Sequence, residues 1–355
     1  MSYLHDKTVF IVGAGASCEV NLPSGLQLRN AIAKALEFKF ENGHILISGD
    51  STMYESLQQL GREDAKNGNI GPFLLACQLI QKAMPIERSI DNFINAHRGN
   101  KYVELCGKLA IVRTILNAER NSDLYFDDSN IFNNFDFERL SRTWLSSLMG
   151  LIIDNCTVDD LPRRLSSIAL VIFNYDRCVE HYLYYTLQTY WNISAADAAG
   201  LMKQLEIYHA YGSVGSLPWL DQRNAIAFGE EPEPKKLREL AGKIKTFTES
   251  TDPSSRDIVL IRQLLSGSPR LVFLGFAFHP MNLDLLMPLP QGAHSISDRD
   301  YKTVFGTVSG ISKADSEILR HDLVVRAPVS KENIYLSHLT CKELFSEHQR
   351  ALSLV

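Results

Sequence analysis

The chain carries no C-x-x-C pair. Its six cysteines, Cys18, Cys77, Cys106, Cys156, Cys178 and Cys341, are scattered over 355 residues. That scatter indicates neither a zinc site nor a disulfide framework, and it fits a reducing cytosol. No apolar run approaches the roughly 20 residues that a membrane helix needs, so no membrane contact is expected. Asp6 and the break at Gly13 argue against a secretory signal peptide, and a cytoplasmic protein is expected. An excess of positive charge is also missing. The formal net charge is -5, so no direct nucleic-acid binding is expected. Neither an internal repeat nor a low-complexity tract is present.

What remains is ordinary globular composition, 45% hydrophobic and 22% charged. The length suggests one large domain with an insertion, or two domains. Thr8-Val9-Phe10-Ile11-Val12 is a short, continuous apolar and β-branched run, which reads as a strand buried on both faces. It runs into Gly13-Ala14-Gly15-Ala16-Ser17, and a second turn follows at Asn21-Leu22-Pro23-Ser24-Gly25. Near-helical apolar spacing then predicts a helix over Leu26 to Leu36. Strand, glycine loop and helix open a dinucleotide-binding unit.

From about Gly43 to Cys156 the pattern changes. Candidate strands are few, and Phe73 to Met84, Tyr102 to Leu116 and Phe137 to Ile153 have helical periodicity. Asn67-Gly68-Asn69, Gly99-Asn100 and Asp127-Asp128-Ser129-Asn130 punctuate them as loops. The α/β pattern returns with strands at Ile168 to Phe173, Leu205 to His209 and Leu271 to Leu274, and with a helix through Val179 and Leu187. Gly229 to Arg256 reads as a charged surface excursion with room for one helix. The expected fold is therefore α/β, a Rossmann-like parallel sheet with a helical insertion. Its nucleotide-binding parts are 1–48 and 157–355, and the insertion is 49–156.

Four expected strands end in small or polar residues, at Gly13, Asn174, His209 with Gly212, and Gly275. Open parallel sheets bind ligands at the carboxyl ends of their strands, so the four endings can line one crevice. Gly13 and Gly15 would let backbone N–H groups approach a diphosphate. Cys18 stands where the third glycine of G-x-G-x-x-G would be, and no strand ending in an acidic residue follows some 20 positions on, which argues against an ordinary dehydrogenase. Asn174 can orient a ribose hydroxyl or a water, but Asn174 or Asp176 can equally cap the following helix. His209 has a side chain suited to proton transfer near neutrality, or it is a packed strand residue.

Taken in order, Gly13-Ala14-Gly15-Ala16-Ser17 with Leu22-Pro23, Asn174-Tyr175-Asp176, a histidine with Gly212-Ser213, and Leu274-Gly275-Phe276 with Pro280 and Asn282 resemble the sirtuin superfamily. More specifically, the chain resembles the bacterial sirtuin-like NAD hydrolases of anti-phage defence. Ser89 to Phe93, Lys302 to Thr307 and Cys341 to Phe345 are similar to that branch as well. The resemblance implies NAD+ as substrate and no metal. It implies that Gly13, Gly15 and Ser17 hold the diphosphate, with Ala14, Pro23, Gly212, Ser213 and Asn282 also around the dinucleotide and Gly275 near the adenine-side ribose. It further implies that Asn174 positions the ribose or the attacking water, that His209 acts as base, and that Asp176 and Asp91 stabilise the ribose or the oxocarbenium charge.

The chain departs from the family in two ways. Tyr211 stands where the family has its histidine, with His209 two residues earlier, and the two C-x-x-C pairs of the deacylase zinc module are absent. The expectation is thus an NAD+ glycohydrolase serving as an NAD-depleting effector. An NAD- or ADP-ribose-binding regulator with little catalysis and an NAD-dependent protein deacylase are the alternatives. The resemblance also implies gating, through homo-oligomer formation or a separately encoded partner such as a HerA-type ATPase.

Overall fold

In a computed structural model of the chain, the apolar run Thr8–Val12 is β1, and it lies inside a six-stranded parallel sheet. The structure describes residues 7–65, 68–127, 134–245, 249, 256–289, 302–327 and 329–354. Asn67 and residues 128–130 of the expected loops, and part of the expected 229–256 excursion, lie outside them.

The other strands are β2 (Lys39–Glu41), β3 (Ile45–Ser48), β4 (Ile168–Ile172), β5 (Glu206–His209), β6 (Arg270–Leu274), β7 (Thr303–Thr307) and β8 (Ile334–Ser337). β2 and β3 form a separate antiparallel hairpin, and the large sheet has the order β5-β4-β1-β6-β7-β8. Counted within that sheet alone, this is the 3-2-1-4-5-6 order of dinucleotide-binding α/β folds. The order reverses between β1 and β6, where Val12 pairs with Leu274.

The helices are α1 (Ala14–Ser17), α2 (Gly25–Ala35), α3 (Ser51–Ala65), α4 (Gly71–Ala83), α5 (Ile90–Ala96), α6 (Lys101–Arg120), α7 (Phe137–Leu140), α8 (Trp144–Ile153) and α9 (Leu161–Ser166). They continue with α10 (Cys178–Trp191), α11 (Ala195–Met202), α12 (Pro234–Ala241), α13 (Arg256–Gly267), α14 (Pro280–Leu286), α15 (Lys313–Arg326), α16 (Cys341–Glu347) and α17 (Gln349–Leu352).

Both faces of the sheet are covered, which is why β1, β4 and β6 run apolar at successive positions rather than at alternate ones, apart from Thr8 and Arg270 at the starts of β1 and β6. Val9 and Ile11 face a core shared with α2 to α6 and α12 to α15. Phe10 and Val12 face the opposite core, which α8 to α11 and α16 supply. The helices between β3 and β4 are therefore divided between the two layers.

Several expectations change. Six strands build the sheet, not four, because β7 and β8 extend it beyond β6. The single helix expected over Phe137 to Ile153 is two, broken at residues 141–143. Thr143 is extended (φ -110, ψ 159), and the Trp144 N–H is donated to Glu19 Oε2 at 2.7 Å instead of to a preceding turn. The stretch after Gly229 is not wholly at the surface, since Leu237, Leu240 and Ala241 of α12 are buried against α3 and α6. Its charged residues occupy the other side of an amphipathic helix.

Candidate functional site

The strand-order reversal leaves a cleft at the carboxyl ends of β1 and β6, with a volume of about 720 Å³. Ligand crevices in open α/β sheets form at this point, and the size is that of a small-molecule or cofactor site. The loop after β1 supplies Gly13, Ala14 and Gly15, and the loop after β6 supplies Gly275, Phe276 and Ala277. Asp91 of α5, Tyr211, Asn282 of α14, Phe173, His279, Arg29 and Arg88 complete the walls that bear on chemistry.

Backbone packing explains the glycines of the two loops. A Cβ on Gly13 would lie 2.5 Å from the Gly275 carbonyl oxygen, and one on Gly275 would lie 2.0 Å from the Ala16 nitrogen. Gly275 also has φ +55, the left-handed region that glycine adopts freely. The close approach thus joins two protein loops across the reversal. Gly13 N–H donates to Leu274 O at 2.9 Å, and Gly15 N–H donates to Gly275 O at 3.0 Å.

One wall is aromatic. Phe173 meets Phe276 edge-on at 5.0 Å between centroids and Tyr211 at 5.7 Å. The Tyr211 hydroxyl donates to Asn282 Oδ1 at 2.6 Å. Burial, and then the Asp91 charge, hold the Tyr211 hydroxyl well above the usual phenol range. Asp91 lies at the start of α5, whose N-cap Ser89 accepts the Asn92 N–H at 3.1 Å. Its Oδ1 accepts the Tyr175 hydroxyl. Burial raises the Asp91 carboxyl above its ordinary value, against the lowering effect of the Tyr175 bond.

Ser17, Asn174 and Asp176 come together beneath the loop, not on the cleft wall. Asp176 Oδ2 accepts both the Ser17 hydroxyl (2.9 Å) and the Asn174 amide, and Asn174 Nδ2 also reaches Ser17 Oγ at 3.2 Å. Asp176 Oδ1 accepts the Cys178 N–H at 3.0 Å, so the capping role open to it from the sequence is present at the start of α10. All three residues are buried. Burial raises the Asp176 carboxyl, opposed by the bonds from Cys178 and Ser17.

His209 ends β5 and points toward α10. Its Nε2 is 2.6 Å from Glu180 Oε1, and its Nδ1 is 3.3 Å from the Asn174 carbonyl oxygen. Two acceptors on the two ring nitrogens favour the imidazolium form. Burial is the largest single influence on the His209 pKa and lowers it, but the Glu180 carboxylate, the Asn174 carbonyl and Asp176 together outweigh it and the net direction is upward. His209 is therefore paired and does not line the cleft, whereas Tyr211 does. Gly212 takes φ +75 just after Tyr211, where a Cβ would meet the Lys243 carbonyl at 2.2 Å. Ser213 bonds within its own loop, its hydroxyl donating to Gly215 O at 3.4 Å. Pro23 precedes Ser24, the N-cap of α2, and borders a separate surface depression beyond the loop.

The structure thus brings Asp91, Gly13, Ala14, Gly15, Gly275 and Asn282 to one cleft. It sets Asn174, Asp176 and Ser17 behind that cleft and His209 against Glu180. Arg29, Arg88 and His279 are cleft residues that no sequence motif singled out. The His279-Pro280 start of α14 was the one local sign of a helix N-terminus there. Burial, and then the Arg88 charge, lower the His279 pKa. Among the described residues no cluster of three or more histidine, cysteine or acidic side chains could hold a metal ion, and no helix is long and apolar enough to cross a membrane. The protein-family models give no match to the chain, and neither do the curated proteins.

Proposed function

We propose that the chain binds NAD+ in the cleft at the strand-order reversal and hydrolyses its nicotinamide–ribose bond, as a sirtuin-like NAD+ glycohydrolase. The observation that carries this reading is the lining of the cleft. An aromatic wall of Phe173, Tyr211 and Phe276 stands at the 3-2-1-4-5-6 switch point, with a half-buried carboxylate, Asp91, among the other lining residues. Flat rings pack on aromatic walls, and the switch point is where a dinucleotide lies in this topology.

Nicotinamide leaves NAD+ as a neutral molecule from a cationic ribosyl–pyridinium, so no protein acid has to protonate it. The protein's tasks are orientation and stabilisation of charge on the ribose. Asp91 fits the second task. Its carboxylate can face a developing oxocarbenium ion, and its raised pKa suits it to take a proton from the attacking water. Tyr211 and Asn282, bonded to one another, offer a polar edge that can fix a ribose hydroxyl. Asn174 and Asp176 serve by holding the β1 loop and the start of α10 together.

A second reading is favoured by one specific observation. The side chains of His209 and Asn174 are both committed to protein partners, which suits an NAD- or ADP-ribose-binding regulator with little turnover. The homo-oligomer or HerA-type ATPase partner and the defence role rest on the resemblance; Leu75, Leu79 and Ile86, exposed on and after α4, give a partner apolar surface to meet. Incubation of the purified protein with NAD+, with calorimetry in parallel, separates the readings. Release of nicotinamide and ADP-ribose without an acyl-peptide supports hydrolysis, binding without release supports the regulator, and absence of both contradicts the proposal.

A further inference from the structure

The cleft has few backbone donors to offer an anion. Of the four N–H groups from Gly13 to Ala16, three are donated within the protein: Gly13 to Leu274 O, Gly15 to Gly275 O and Ala16 to Gly13 O. A glycine loop that binds a diphosphate through its backbone needs those groups turned outward. Here they hold the β1 and β6 loops together.

The cleft does hold two guanidinium groups, Arg29 on α2 and Arg88 ahead of α5. Arg29 Nη1 donates to the Met84 carbonyl at 3.4 Å, which draws its side chain toward the 84–88 stretch that carries Arg88. Arg29 Nε is buried with no hydrogen-bond partner. A buried donor without an acceptor costs free energy unless something else supplies one. Arg88 is exposed, and its charge is felt at His279 on the facing wall.

The carboxylates of the same cleft have other partners. Glu19 accepts the N–H groups of Trp144 (2.7 Å) and Lys342 (2.9 Å), and Asp91 accepts the Tyr175 hydroxyl. Among the described residues no salt bridge joins either arginine to a carboxylate. The cleft therefore presents two cations that the protein does not neutralise.

We infer that Arg29 and Arg88 form an anion subsite in the cleft and that its ligand is the diphosphate of the bound dinucleotide, an assignment that rests on the NAD+ reading above. Guanidinium groups bind phosphate oxygens through paired, charge-assisted hydrogen bonds. Arg29, the less exposed of the two, supplies the fixed contact, and Arg88 supplies the solvent-screened one.

The test is calorimetric titration of the full chain with ADP-ribose, adenosine and inorganic pyrophosphate, for wild type, Arg29→Met, Arg88→Met and the two Arg→Lys variants. Circular dichroism confirms that each variant is folded. The expected result is a loss of at least about tenfold in ADP-ribose affinity for each methionine variant, equivalent to about 1.4 kcal/mol, with partial rescue by lysine. Adenosine affinity stays unchanged, and added salt weakens binding less in Arg88→Met than in wild type. Equal ADP-ribose affinity in wild type and both methionine variants overturns the assignment. If wild type binds pyrophosphate through these arginines but binds neither ADP-ribose nor adenosine, the anion subsite stands and the NAD+ reading falls. If wild type binds none of the three, both fall.

Discussion

His209 Nε2 lies 2.6 Å from Glu180 Oε1, across the gap between the end of β5 and the first turn of α10. The pair is largely buried, with side chains 13% and 9% exposed, and the other ring nitrogen of His209 faces the Asn174 carbonyl oxygen at 3.3 Å. A histidine whose folded pKa exceeds its unfolded value of about 6.5 stabilises the fold below pH 6.5. That contribution is lost as the pH rises through the folded value. We expect the His209 ring, followed by NMR, to titrate above 6.5, and wild type to lose stability over that window where His209→Gln does not. A His209 pKa at or below 6.5 contradicts the pairing.

His209→Ala should also destabilise the protein, by about 3 kcal/mol, because it leaves the Glu180 carboxylate buried and unpaired. Adding Glu180→Gln should recover part of the loss in a double-mutant cycle. Urea denaturation checks this. A stability change within about 0.5 kcal/mol, the level of an ordinary surface substitution, would mean that the pair contributes nothing.

Gly275→Ala and Gly310→Ala form a matched pair. Both glycines have positive φ, +55 and +83, but only Gly275 faces backbone, at 2.0 Å, while Gly310 has open space around it. Gly310→Ala should cost about 1 kcal/mol, the ordinary penalty for a left-handed alanine. Gly275→Ala should cost clearly more and should also weaken NAD+ binding, since it parts the β1 and β6 loops. Equal costs for the two would show that the loop contact is slack.

Asp91→Asn should lower NAD+ cleavage at least about a hundredfold, the low end for an acid–base group. The Asp91 carboxyl is raised above 3.8, so cleavage by wild type should fall on the acid side of a limb lying above that value, where protonation removes the charge. The residual activity of Asp91→Asn should lack that limb. An unchanged rate and pH profile in the variant would remove Asp91 from the chemistry.

Much of the sheet was legible because its central strands are buried on both faces. β1, β4 and β6 stand out as unbroken apolar runs, and the structure places them within a residue of where the sequence does. β7 and β8 did not stand out. Thr303–Thr307 contains a glycine, and Ile334–Ser337 is an edge strand of four residues with Tyr335 43% exposed. The break before Trp144 was hidden because its cause is Glu19, distant in sequence. The site was legible where it follows strand ends, as at Gly13 and Gly275. His209 and Tyr211 part because β5 ends at His209 and the chain turns through Ala210 and Tyr211, and Glu180, which lies on another element, decides where the His209 ring goes. Arg29 and Arg88 converge only through tertiary packing, and no local pattern announces them.

Gly25 offers the most direct test that the cleft at the strand reversal is the NAD+ site. It lines the cleft at the first position of α2, and a Cβ there would meet nothing within 4 Å. Gly25→Phe can therefore fill the cleft without disturbing the loop contact that substitutions at Gly13 or Gly15 would break. The measurement is NAD+ binding by calorimetry and by the rise in melting temperature that a ligand of the native state produces. The account predicts that wild type binds NAD+ and gains stability with its concentration, while Gly25→Phe keeps the wild-type circular dichroism spectrum and shows neither effect. Wild type that does not bind NAD+, or a folded Gly25→Phe that binds it as tightly as wild type, would contradict the account.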